Sequence, residues 1–400
     1  MNNWNNVKFS NLYAIPSKNG LTKPSRIRGS GYKMINMGEL FANDRIYDIP
    51  MELVPLSESE KITSKVEKND LLFARQSLIV SGAGKCSIVL EVSPLTVFES
   101  HIIRVRLNEK IANPLFYYYY FKSTLSPIKK IVQHCVQAGI KASDLAELTV
   151  INPPIEIQNK IVEVLSCYDE KIELNNQSTK LLEELLSANY KKTFLINPTW
   201  NEVELSKIIS FQEGPGIRNW QYVEKDGIKF INIRCINNNE INTSTANMIS
   251  KEEADTIYSH FMLNEYDIVM SCSGTLGRYA IVRKDHLPLC LNTSVIRFMP
   301  KNTFEDFSYI YSYLTSKEFL NKQKELACGS VQANFGPTHL KKMKMPEPPE
   351  ALRKQYHANN FSIIQRICQN LKENKCLVEL RDILLGKLMT GNILISNEVK

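Results

Sequence analysis

No run in the chain approaches the roughly 18 apolar residues that a membrane-crossing helix needs, so no membrane partner is expected. The N-terminal stretch, Met1-Asn2-Asn3-Trp4-Asn5-Asn6, lacks both the basic flank and the apolar core of a signal peptide. There is no Cys-x-x-Cys. The nine cysteines are odd in number and scattered from Cys86 to Cys376, a pattern of reduced thiols in a cytoplasm rather than of a disulfide framework. The six histidines never join cysteines at zinc-ligand spacing, and His134-Cys135 stands as an isolated dipeptide. A structural metal is therefore not expected.

What is present is ordinary in bulk. Hydrophobic residues at 43% and charged residues at 23% exclude a disordered or fibrous chain. The 49 Lys+Arg against 42 Asp+Glu leave a net charge of +7, which suits a nucleic-acid partner, although salt-bridged surface lysines give the same total. Four hundred residues exceed one ordinary core, so two domains or a duplicated one are expected.

The chain is written twice. Val7-Lys8-Phe9-Ser10 reappears as Val203-Glu204-Leu205-Ser206, and Gly31-Tyr32-Lys33-Met34-Ile35-Asn36 as Gly227-Ile228-Lys229-Phe230-Ile231-Asn232. Asp70-Leu71-Leu72-Phe73 matches Asp267-Ile268-Val269-Met270, and Ile102-Ile103-Arg104-Val105 matches Val295-Ile296-Arg297-Phe298. Leu145 and Leu148 before Pro153-Pro154 answer Leu340 and Met343 before Pro348-Pro349. One such match is chance. Five in the same order, at offsets between 193 and 197 residues, mean tandem duplication.

Each copy opens as a mixed α/β globule. Asp70–Phe73 and Asp267–Met270 read as strands entering loops, and Ser87–Glu91 and Ala280–Arg283 as the strands leaving them. Residues 113–130 and 304–324 read as helices, with Asn113 and Pro114 placed as N-cap and first-turn residues. The run Tyr117 to Phe121 falls in the first of these. Helical residues point all round, so most of it is core rather than a stacking platform.

Each copy then closes on a stretch free of Pro and Gly. The first runs from Ile155 to about Phe194, with Ile157, Ile161, Val164, Tyr168, Ile172, Leu182 and Leu185 or Leu186 spaced by threes and fours, and Asn175 and Thr179 as a polar patch on the same seam. The second runs from Ala351 to about Leu385, with Phe361, Ile364, Ile367, Leu371, Leu377, Leu380 and Leu384. At 1.5 Å per residue each would span about 55–60 Å. Such helices bury their stripes most economically against each other, antiparallel if the copies are related by a two-fold axis, with the globules at opposite ends. The alternative is two independent domains, each with its own C-terminal helix. The expected organisation is a globule at 1–152, a spacer helix at 153–197, a second globule at 198–347, and a second helix with a tail at 348–400.

Pro153-Pro154-Ile155-Glu156-Ile157-Gln158, running on to Leu165 and Asp169-Glu170-Lys171-Ile172-Glu173, resembles the conserved region of type I restriction-modification specificity subunits, where a PPLEEQ-like start opens a long helix holding an LDEKIE-like stretch. The second copy keeps the proline pair and the helix but departs at Glu350-Ala351-Leu352-Arg353, and Gly386-Lys387-Leu388 is similar to the family's usual ending. The resemblance implies an α+β tandem duplication in which two target recognition domains are separated by two long helices packed as an antiparallel coiled coil. It implies no catalysis of its own. Each domain reads half of a bipartite duplex DNA site, and the helices dock two modification (methyltransferase) subunits, which restriction (translocase/nuclease) subunits join. S-adenosylmethionine, ATP and magnesium then belong to those partners.

Three apparent chemical sites fail on their residues. Asn152-Pro153-Pro154 imitates an adenine-methyltransferase loop, but Ile155 offers no ring to stack on a flipped base. Ser81-Gly82-Ala83-Gly84-Lys85-Cys86 lacks the first glycine of a phosphate loop, which is Ile79 here, and its closing Ser or Thr is Cys86. Asp169 and Glu170 are consecutive on one helix and point apart, so they read as a solvated face rather than a metal-binding carboxylate set.

The loops after the repeated strands hold the DNA-contact candidates. These are Arg75, Gln76, Ser77 and Lys85 in the first copy and Ser273, Thr275 and Arg278 in the second. Ser, Thr, Gln and basic side chains supply phosphate and base-edge hydrogen bonds. Gly82, Gly84, Gly274 and Gly277 either admit close backbone approach or simply make turns. Lys23, Arg26 and Arg28 form a basic early loop, with Arg218, Asn219 and Gln221 at the matching place. Lys141 and Ser143, with Gln332 and Asn334, precede the helices. Each is also readable as a plain surface residue. Two other classes stay open: a self-contained DNA methyltransferase or nuclease, disfavoured by the missing cofactor loop, and a scaffold that binds only proteins. The specificity domain of another methyltransferase-type system is a near relative of the main reading.

Overall fold

The computed structural model describes residues 4–134, 138–196, 200–327, 335–391 and 393. Two units emerge: residues up to Glu170 together with those from Leu377 on, and the intervening Lys171–Cys376. Each unit holds one globule and a part of both long helices. Among the described residues no helix is long and apolar enough to cross a membrane.

In the first unit the central sheet runs in the order Tyr13–Asn19, Ile102–Leu107, Leu71–Ala74, Cys86–Val89, Arg45–Ile46. A second sheet pairs Tyr32–Ile35 antiparallel with Glu52–Val54 and parallel with Val97–Phe98. The second unit repeats this plan. Its sheet runs Ile209–Glu213, Val295–Pro300, Ile268–Ser271, Tyr279–Ile281, and Ile228–Ile231 again has one antiparallel partner in Asn247–Ile249 and one parallel partner in Leu289–Leu291.

The repeated residues turn out to be framework. Asn69 and Tyr266 hold the same left-handed turn (φ 71° and 69°), and the carboxylates of the following Asp70 and Asp267 each accept a backbone N–H three residues back, at 2.8 Å. Arg104 donates to the Lys65 carbonyl at 2.9 Å, and Arg297 to the Met262 carbonyl at 2.8 Å. Tyr117 and Tyr309 both donate to a carbonyl of the strand leading to the spacer helix, Ile151 and Pro346. Buried polar groups call for partners, and both copies supply these ones from the same places in the framework.

Each expected globular helix breaks. The first covers only Pro114–Lys122, followed by a 3₁₀ turn at Pro127–Lys130, because Pro127 cannot continue the hydrogen-bond ladder. The second splits into Phe307–Leu314 and Lys317–Ala327, where the Thr315 hydroxyl donates to the Tyr311 carbonyl at 2.9 Å. Tyr117, Tyr118, Tyr119 and Tyr120 are all buried, as core residues should be.

The long helices are Ile155–Tyr190, extended by a π-helical turn at Lys191–Leu195, and Glu350–Met389. The second carries Gly386 inside it and runs past the expected end near Leu385. They pair antiparallel. In the second unit Asn175 donates to Asn374 and Asn370 to Thr179, while Asn189 donates to Asn360. The seam is thus polar well beyond Asn175 and Thr179. Of the two alternatives at the end of the first stripe Leu186 is the buried one and Leu185 is 46% exposed; Leu165, outside the expected set, is also buried, whereas Leu380 is 49% exposed.

Asp169 corrects the expectation of a solvated face. It is 5% exposed, accepts from Arg381 at 2.6 Å and from the Tyr119 hydroxyl at 2.7 Å, and so ties both helices to the first globule. The Asp169 and Asp382 carboxylates outweigh burial and hold the Arg381 guanidinium well above its ordinary value. Glu170 remains exposed.

The proline pairs lead into two joints of matched geometry and different chemistry. Gln158, fully buried, donates to the Pro153 carbonyl at 2.8 Å and accepts the Asn113 N–H at 2.8 Å. At the corresponding place Arg353 donates to the Pro348 carbonyl at 2.6 Å and to the Asp306 carboxylate at 2.7 Å. The second copy's departure from the PPLEEQ-like pattern is thus a substitution of an ion pair for a neutral amide.

Candidate nucleic-acid interface

Both repeated strands empty into a loop clasped from below. The Arg75 carbonyl accepts the Ile140 N–H at 2.9 Å, and the Cys272 carbonyl accepts the Phe335 N–H at 2.7 Å. In the first unit Gln76–Ser77 also pairs with Ala138–Gly139, the middle strand of a small sheet completed by Gln133–His134. The clasp brings Arg75, Gln76 and Ser77 beside the segment that leads to Lys141 and Ser143.

Turn geometry is a requirement for three of the four loop glycines. Gly84, Gly274 and Gly277 have φ of 75°, 66° and 80°, which side-chain-bearing residues rarely adopt. A Cβ on Gly84 would also meet Ile128 Cγ2 at 2.3 Å.

The basic candidates divide into two groups. Lys23 donates to Glu60 at 2.9 Å, and Arg28 reaches Glu52 at 2.6 Å and the Lys23 carbonyl at 2.7 Å, so both stitch the early loop to its own globule. Lys85 donates to the Phe41 carbonyl at 2.7 Å and pairs with Asp44 at 3.1 Å. Gln221 is held by Glu253 and by the Tyr258 hydroxyl. By contrast Arg26, Lys141, Arg218 and Asn219 are exposed. Between the groups lie half-buried Arg75, which touches the Ser100 carbonyl at 3.4 Å, and Arg278, which donates to Asn237 at 2.9 Å.

The smaller polar candidates are Ser77, which accepts from the Ile79 N–H, and Ser143, which donates to Asp144. Ser273 is half-buried, and the Thr275 carbonyl receives the Ser271 hydroxyl at 2.7 Å. Gln332 and Asn334 lie outside the described residues.

Two features escaped the sequence reading. Trp220 is 79% exposed, in the middle of the Arg218–Gln221 turn. Leu78 and Ile79 are 88% and 64% exposed at the tip of the first loop. An apolar triplet between polar loop residues was the available signal for the second.

The loops offer little reactive chemistry. Burial pushes the Cys272 thiol up to about 12, so it stays protonated at neutral pH. Among the described residues no three His, Cys, Asp or Glu side chains gather as a metal site.

Comparison with known proteins agrees with the duplication. A family model described as the type I restriction modification DNA specificity domain matches residues 1–184 and again 197–379. The type I restriction enzyme MjaVIII specificity subunit of Methanocaldococcus jannaschii is 22% identical over 364 residues, 85% of this chain and 84% of its own length. The EcoKI specificity subunit of Escherichia coli is 27% identical over 187 residues, 44% of this chain and 39% of its own. Among solved structures, the type I restriction-modification S subunit from M. genitalium shares the fold at a TM-score of 0.56, with 18% identity across 97% of each chain.

Proposed function

The chain belongs to the type I restriction-modification DNA specificity family, and we propose that it acts there as a non-catalytic reader of duplex DNA. Each globule reads one half of an asymmetric bipartite site. The paired helices set the separation of the half-sites and dock two modification subunits, which restriction subunits join. S-adenosylmethionine, ATP and magnesium bind on those partners.

One observation carries this reading. The two globules repeat their framework down to single hydrogen bonds, yet the loops mounted at the same place differ in length and side chains. A shared scaffold with divergent loops is what two readers of unlike sequences need, because phosphate contacts position a protein and base-edge contacts specify its site. Leu174, Leu181 and Leu185, exposed at spacings of seven and four on the first spacer helix, give a partner helix an apolar line to pack on.

The test is salt-titrated binding of the complex of this chain with its modification subunits to a duplex bearing its site. Log affinity should fall linearly with log salt as counterions are released. A complex that assembles and binds no DNA would refute the reading.

A further inference from the structure

The loop between strands Leu71–Ala74 and Cys86–Val89 occupies residues 75–85, whereas its counterpart in the second unit occupies only 272–278. The additional length carries Leu78, Ile79 and Val80, which are 88%, 64% and 52% exposed. This tip is not slack chain. The Ile79 N–H donates to Ser77 Oγ at 3.2 Å, the Gly82 N–H to the Ile79 carbonyl at 3.0 Å, and the Ala83 N–H to the Val80 carbonyl at 3.3 Å. Three successive apolar residues are thus displayed to solvent by an ordered turn. Displayed apolar patches of this kind mark contact sites.

The surroundings specify the partner. On one flank Val80 and Ser81 overhang a cleft of about 940 Å³ whose walls carry Lys85, Lys122 and Lys129, with Ser123, Thr124 and Ser126. Asp44, which pairs with Lys85 and Lys122, is the one acid in that wall, so the lysines outnumber it three to one. On the other flank Leu78 and Ile79 border Met37 and Phe41, with Gln76, Ser77 and His101, so the apolar surface continues there. An apolar tip with a basic, hydroxyl-rich cleft on one flank matches a DNA groove, where cations meet phosphates and apolar side chains meet thymine methyls or wedge a base step.

We propose that the Leu78–Val80 tip enters a groove of the duplex and supplies apolar base contacts for one half-site alone. Among the described residues the shorter loop of the second unit offers no equivalent. Leu276, in its shorter loop, is half-buried and packs on that unit's core.

This proposal rests on the DNA-reading role above, and its test separates the two. The complex with modification subunits is assembled with the wild-type chain, with Leu78→Ser/Ile79→Ser, and with the conservative Leu78→Met/Ile79→Leu. Each is titrated against a duplex carrying the bipartite motif revealed by methylation mapping, and against two duplexes with one half-site scrambled. The serine variant should assemble normally and bind the intact duplex at least about tenfold more weakly, a mismatch-sized loss. Its discrimination should collapse for one half-site and persist for the other, and the conservative variant should behave as wild type. Unchanged binding and discrimination would overturn the proposal. So would loss of assembly with normal DNA binding by whatever complex forms, since the tip would then dock a protein. A wild-type complex that distinguishes none of the duplexes would instead refute the DNA-reading role itself.

Discussion

Arg26 and Arg28 stand two residues apart in one basic loop, yet of the two only Arg26 is exposed. Arg28 bonds Glu52 and the Lys23 carbonyl, while Arg26 is exposed on the turn Ser25–Ile27. Arg26→Ala should therefore weaken DNA binding several-fold and leave the melting temperature unchanged. Arg28→Ala should lower stability by about 0.5–1 kcal/mol, the scale of a partly exposed ion pair. Anisotropy titration and thermal melting of both variants separate these roles; the opposite pattern would mean that the loop faces the other way. Residue types in the sequence identified a basic loop, but side-chain partners decide which charges remain available, and those depend on Glu52 and Glu60, far along the chain. Trp220 was missed for a related reason. Local sequence does not reveal that it stays 79% exposed.

At the scale of elements, the long helices were the most legible feature, because their stretches lack Pro and Gly and keep a three-four apolar spacing. The seam was less so. Its buried polar residues include Asp169, Asn175, Thr179 and Asn370, whose burial depends on partners about 190–210 residues away. The joints at Gln158 and Arg353 were likewise hidden, since the repeat aligned them but gave no hint that an amide and an ion pair do the same work. Arg353→Ala strands the buried Asp306 carboxylate and should cost about 3–5 kcal/mol, the scale of a broken buried ion pair. Arg353→Gln with Asp306→Asn, which imitates the neutral first joint, should recover most of that loss in denaturant melts. Failure of the double variant to recover would show that the charge itself is required.

A second element-scale prediction concerns acid. Burial pushes the Glu240 carboxyl up, but bonds from His286 at 2.7 Å and Arg283 at 2.6 Å outweigh it and hold the group below its ordinary 4.5. A carboxyl depressed in the folded state contributes its full stability above the unfolded value and loses it as pH falls through the folded one. The wild-type melting temperature should therefore fall more steeply below about pH 4.5 than that of Glu240→Gln. Parallel curves would contradict this assignment.

At the scale of the whole molecule, the duplication was readable because framework residues such as Asp70 and Asp267 or Arg104 and Arg297 recur at near-constant offset. The loops proposed to read DNA were not, because they differ between the copies in length and side chains. Contact units also cross the helices rather than respecting the ends expected from sequence: residues of Glu350–Met389 pack into both units, Ile364 and Ile367 in the second and Leu385 and Leu388 in the first. Each globule is completed by both copies' helices. The globules should nevertheless be exchangeable as readers, provided each joint keeps its matched partner.

The most direct test maps methylated bases by single-molecule sequencing in cells that carry this chain with its modification and restriction partners. The same cells are mapped again with residues 1–152 replaced by the equivalent domain of a relative. The expected result is a motif of two unlike half-sites across a fixed gap, of which the exchange alters one half and leaves the other half and the gap intact. A single continuous motif, or an exchange that rewrites both halves together, would contradict it.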